Sequence, residues 1–183
     1  AFQLLDAATT ATAPTSTLAS FHVGMCYAAG EGVTADKIKA MHWLNIAAEK
    51  DFAEAEYQLG KAYLHGTLTE KSITEAVKWH SRASSHGYAT AAFDLAKHYL
   101  ETSDTTSVEN ENPVLWFQKA YNLGRNDASY YLGKCYWDGT CVSRNAEEAA
   151  RWFRLAANHG YPDAQYCLAT CYADGVGTPR HEQ

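Results

Sequence analysis

Five tyrosines recur along the chain at nearly equal intervals. Tyr27, Tyr63, Tyr99, Tyr136 and Tyr172 are separated by 36, 36, 37 and 36 residues. Trp43, Trp79, Trp116 and Trp152 keep the same register, as do Ala47, Ala83, Ala120 and Ala156. A leucine column, Leu59, Leu95, Leu132 and Leu168, begins at Val23. A small residue follows each member: Gly24, Gly60, Ala96, Gly133 and Ala169. Self-similarity at such a period marks a repeat architecture, in which one supersecondary unit stacks on its own copies.

Each unit reads as two helices. Ala55, Leu59, Gly60 and Tyr63, with Tyr57 alongside, have the spacing of a buried helix face. Gly60 removes a side chain where another helix must come close. Gly66 then ends the helix, as Gly30, Gly139 and Gly175 do in other units. The second helix carries Ala76, Trp79 and Ala83 and stops near Gly87, Gly124 or Gly160; the first unit has Asp51 at that place. Asp127 and Asp163 precede the alanine that opens the next unit and read as helix starts. A single hairpin of this kind cannot bury its apolar face. Stacked hairpins share a continuous core and curve into a superhelix with a concave and a convex side. Each buried Trp or Tyr contributes about 2–3 kcal/mol by area, so the aromatic ladders are expected to dominate stability.

Composition narrows the function classes. The net charge of -6 disfavours non-specific nucleic-acid binding, which needs a basic surface. No apolar run reaches the roughly 20 residues that span a bilayer, so membrane contact by this segment is not expected. Ala1 to Ser20 lacks the basic and apolar regions of a signal peptide. Cysteines stand at 26, 135, 141, 167 and 171, an odd count without CxxC or a zinc-ligand spacing. Cys135 and Cys141 flank a loop and have the option of bridging; the pattern otherwise favours a reduced cytosolic compartment. Eight scattered histidines include no His-x3-His or HExxH, and His86 and His159 precede helix-ending glycines where they can cap carbonyls. No Walker loop, GxSxG or dinucleotide fingerprint is present. The expectation is no catalytic residue, no metal and no cofactor.

The columns resemble the Sel-1-like repeat family, relatives of the tetratricopeptide repeat. The segment Ala128 to Ala157 carries the resemblance best, Ala55 to Ala83 and Ala19 to Ala48 nearly as well, and the loops Gly30-Glu31-Gly32-Val33 and Gly175-Val176-Gly177 fit its Gly-rich turn. What the resemblance implies is an all-α fold, a right-handed α/α superhelical solenoid of helix-turn-helix repeats. It divides the single array 1–183 into repeats at 15–50, 51–86, 87–123 and 124–159 and a partial one at 160–183. Residues 1–12 read as the second helix of an earlier unit, and both ends look like cuts through a longer array. The third unit departs from the pattern with an acidic, glycine-free loop from Glu101 to Asn112, and Pro113 suits the first turn of the helix after it. Some secreted bacterial relatives staple each hairpin with a cysteine in both helices. No second helix here contains one, which weakens any carry-over of their suggested β-lactamase-like activity.

By the same resemblance the first helices line the concave face. Lys61, Lys97 and Lys134 form one column there, Gln58, Asp94 and Tyr131 run beside it, and His65 and Asp138 lie one turn later, with Trp137 close by. Tyr and Trp are frequent anchors at interfaces. The family implies a scaffold or adaptor that binds a protein or peptide, as in degradation adaptors, chitin-synthase regulators and bacterial signalling proteins. This is analogy at the level of the fold. The alternatives are a regulatory segment of a larger enzyme and, less favoured, a hydrolase.

Overall fold

The computed structural model describes residues 16–102, 112–173 and 175. Among them are nine helices and no strand: α1 (Thr17–Ala29), α2 (Lys37–Ala48), α3 (Ala53–His65), α4 (Ile73–Ser85), α5 (Ala89–Thr102), α6 (Pro113–Asn122), α7 (Ala128–Asp138), α8 (Ala146–Asn158) and α9 (Pro162–Ala173). The all-α helical-repeat fold expected from the columns is present. Residues 1–12, most of the acidic loop, Asp174 and Gly177 lie outside the described residues. The chain forms two compact units, Ala1–Ala91 and Ala92–Gln183, with the division inside α5.

Helix boundaries follow local chemistry. Gly30, Gly66 and Gly139 end α1, α3 and α7 in the left-handed region, where an L side chain is strained. The second helices begin with polar side-chain caps. Asp36 accepts from the Ile38 and Lys39 amides, Ser72 from Glu75, Asn112 from Val114 and Asn145 from Glu148. Pro113 opens α6 as expected. Asp127 precedes α7, but its side chain caps no amide. Its carboxylate instead accepts from Nε and Nη2 of Arg125, at 3.0 and 3.2 Å. Asp163 lies within the first turn of α9 rather than before it.

Within each hairpin the small column does what its residue type requires. A Cβ on Gly24 would meet Leu44 at 3.0 Å, one on Gly60 would meet His80 at 2.8 Å, and one on Gly133 would meet Phe153 at 2.5 Å. The residues facing these glycines, with Phe117 of the third unit, are the floor of the core. Leu44, His80 and Phe117 are fully buried and Phe153 is 1 % exposed. This revises the expected role of the tryptophans. Each floor residue follows its tryptophan by one position, about 100° round the helix, and takes the inward direction. Trp79 is buried, whereas Trp43, Trp116 and Trp152 are half-buried on the flank. Lys119 lies over Trp116 at 5.2 Å and Arg82 over Trp79 at 5.5 Å.

A second ladder joins one repeat to the next. Phe21, Tyr57, Phe93 and Tyr130 occupy one position of the first helices. Phe21 packs on Phe52 with ring centroids 5.2 Å apart, and Tyr57 on Tyr88 at 4.9 Å. In the second unit the partner is a cation: the Arg125 guanidinium sits 3.8 Å from the Phe93 centroid. Asp127 holds that guanidinium from the side, which explains why it is unavailable as a cap.

Candidate functional site

In the first unit, α3 carries Gln58, Lys61 and His65. In the second, α5 carries Asp94 and Lys97, and α7 carries Tyr131, Lys134, Trp137 and Asp138. Lys61, His65, Lys134 and Asp138 are exposed; the other five are half-buried. Their environments differ from bare solvated positions. Tyr131 stacks on Phe117 at 5.2 Å and 15°, and meets the edge of Phe93 at 5.2 Å. Lys97 lies over the Tyr131 ring at 5.9 Å, and Arg144 over Trp137 at 5.5 Å. Both aromatics therefore already hold a cation, which fixes their orientation and leaves a charged, partly apolar surface around them.

Sequence reasoning missed the most concentrated polar group of the first unit. Glu56 is fully buried on α3. Arg82 of α4 places Nε 2.7 Å from Glu56 Oε1, an ion pair without the alignment of a hydrogen bond. The same guanidinium donates through Nη2 to Asp51 Oδ1 at 2.7 Å and to the Ala48 carbonyl, the last of α2, at 2.9 Å. His86 Nδ1 lies 2.8 Å from Glu56 Oε2. The His86 ring thus meets a carboxylate instead of the helix-end carbonyls expected for it. Asp51 adopts φ 58°, the left-handed conformation that glycines 87, 124 and 160 take at the same repeat position. Asp tolerates this region better than most side chains, and here it delivers a carboxylate that glycine cannot. The signal was present as an anomaly: aspartate in a glycine column.

Asp51, Glu56 and His86 bring three ligand atoms within 4.8 Å of one another, a spacing compatible with a metal ion. Arg82 bridges both carboxylates, so a divalent cation would have to displace a bound guanidinium. The chemistry favours a structural ion-pair lock between the end of α2 and helices α3 and α4. The Asp51 carboxyl is held below its ordinary value of 3.8, first by the Arg82 hydrogen bond. A depressed carboxyl contributes stability that is present above the ordinary value and lost as pH falls through the folded one. Thermal unfolding followed below about pH 4 should therefore show a steeper loss in the native chain than in Asp51→Gly, which keeps the backbone conformation. Parallel acid limbs would remove Asp51 from the lock.

A family model described as Sel1 repeat matches residues 17–52, 53–88, 114–124, 126–161 and 162–183. The chain belongs to the Sel1 repeat family. It is similar to the crystal structure of a Sel1 repeat protein from Oxalobacter formigenes, at 31% identity and TM-score 0.74, over 97% of this chain and 70% of that one. It is also similar to c5321, a protective antigen of uropathogenic Escherichia coli with the same type of fold. There the identity is 28% and the TM-score 0.79, over 100% of this chain and 38% of that one. The chain thus spans well under half the length of that relative. No curated protein sequence matches it. Sel1 repeats generally serve as scaffolds for protein–protein interaction, and the fold is typically non-catalytic. Among the described residues no helix is long and apolar enough to cross a membrane.

Proposed function

We propose that this Sel1 repeat chain is an interaction scaffold or adaptor that presents the face of its first helices to a peptide or partner protein. The supporting observation is a sharp alternation on those helices. Lys61 is exposed between buried Gly60 and Ala62, and Lys134 is exposed between buried Gly133 and Cys135. The flanking positions are used up in packing, which leaves Lys61 and Lys134 facing solvent. In the first unit that surface comprises Gln58, Lys61 and His65. In the second it comprises Asp94, Lys97, Tyr131, Lys134, Trp137 and Asp138. Basic side chains beside ring faces fit an acidic peptide better than a basic or purely apolar one.

The test is a combined Lys61→Glu, Lys97→Glu, Lys134→Glu chain. It should keep its helicity and bind the partners captured by the native chain on the order of tenfold more weakly or worse. An unchanged set of partners at unchanged affinity means that another surface is used.

A further inference from the structure

We propose that Cys135 and Cys141 form an intrachain disulfide when the protein meets an oxidising thiol pool, and that this modification site staples the turn between α7 and α8. The two Sγ atoms lie 3.3 Å apart as free thiols. Helix geometry brings them together. Gly139 closes α7 in the left-handed conformation and returns its amide to the Cys135 carbonyl. The chain then reverses, and the residue two places after the glycine folds back over the residue four places before it. Cys141 and Val142 pack against the core cluster that contains Cys135. At the equivalent positions other repeats carry Cys26 with Gly32, Ala62 with Leu68 and Cys171 with Gly177. Of these, only the Cys135 and Cys141 repeat places a thiol at both ends of the reversal.

The environments assign the order of events. Cys141 is half-buried and open to a small oxidant, whereas Cys135 is 1 % exposed. With oxidised glutathione as oxidant, the Cys141 thiolate attacks one glutathione sulfur. A Cys141–glutathione bond forms, and the other glutathione leaves as a thiolate and takes up a proton. Cys135 then loses its proton to solvent and attacks Cys141 Sγ. The cysteine bridge forms, and the second glutathione leaves and is protonated. Two cysteine thiols are oxidised by two electrons, and one glutathione disulfide is reduced to two thiols. Burial pushes the Cys135 thiol up, so closure draws on a small thiolate fraction and accelerates about tenfold per pH unit through neutrality.

Trypsin offers a direct readout, since cleavage after Lys134 and Arg144 releases both cysteines in one peptide, Cys135 to Arg144. The folded chain is equilibrated in glutathione buffers of increasing oxidising poise, quenched, alkylated in denaturant and digested. The expected result is an unalkylated peptide lighter by two hydrogens, appearing while Cys26 is still fully alkylated. In Cys135→Ala, a residue that Ala62 already shows to fit this position, Cys141 should instead retain glutathione. Amide exchange across the α7–α8 turn should slow on the order of tenfold on oxidation. Two alkylated cysteines, or glutathione persisting on Cys141 of the native chain as pH is raised, would overturn the proposal.

Discussion

Arg82→Ala is expected to cost the fold about 3–5 kcal/mol, the range for removing one partner of a buried ion pair. Glu56 has no exposure and keeps only His86 once the guanidinium is gone. The Ala48 carbonyl and the Asp51 carboxylate lose a donor at the same time. Arg82 itself is 36% exposed, which leaves water some access and argues for the lower part of that range. The measurement is urea unfolding of Arg82→Ala beside Glu56→Ser, Arg82→Ile, which installs the residues that the first repeat uses at these positions, Ser20 and Ile46. The double variant should recover most of the loss, because replacing both charges removes the desolvation problem that a single deletion creates. If the double variant is as unstable as the single one, Glu56 is not the group that Arg82 neutralises.

The second large effect is expected at Gly133. A methyl group there would lie 2.5 Å from Cδ1 and 2.6 Å from Cε1 of the Phe153 ring, deep inside the carbon contact distance. Gly133→Ala should destabilise by about 1–3 kcal/mol through overpacking, despite alanine's better helix propensity. The third hairpin pairs Ala96 with Phe117, so alanine and phenylalanine are not incompatible as a pair. The penalty belongs to the closeness of α7 and α8 at this crossing. Adding Phe153→Leu, after the Gly24 and Leu44 pair of the first hairpin, should return part of the loss. Thermal unfolding of the single and double variants decides it. Equal stabilities of Gly133→Ala and the native chain would show that the ring moves aside freely.

How legible these features were depends on whether residue type repeats along a column. Tyr, Trp, Ala and Gly recur unchanged, so helices, stops and hairpins could be placed from spacing alone. The floor of the core was hidden because Leu44, His80, Phe117 and Phe153 share a position but not a chemistry. A histidine among them reads as a surface residue until its glycine partner is seen. The tryptophans drew attention by rarity, yet three of the four flank the core they were expected to fill. Of the Glu56 lock only the Asp51 anomaly showed, for a different reason: its members stand up to 35 residues apart, from Asp51 to His86, and no other repeat contains the set. On the candidate interaction face, spacing identified Lys61 and Lys134 as outward-facing. It had no means of revealing that Tyr131 lies against Phe117.

The ring contacts that link successive hairpins bear on how such a chain can be rearranged. Each contact is made by two halves that belong to different hairpins: Phe21 with Phe52, Tyr57 with Tyr88, Phe93 with Arg125. A hairpin therefore carries the receiving half of one junction and the donating half of the next; the first two junctions are ring on ring, and the third is a cation on a ring. Moved one place earlier, the hairpin that begins with Arg125 would bring its cation and its companion Asp127 against Tyr57, in the place of a ring. A gene that moves the hairpin beginning with Arg125 would have to rewrite the seam as well as copy the module, so the place of that hairpin in the order is encoded at its edge.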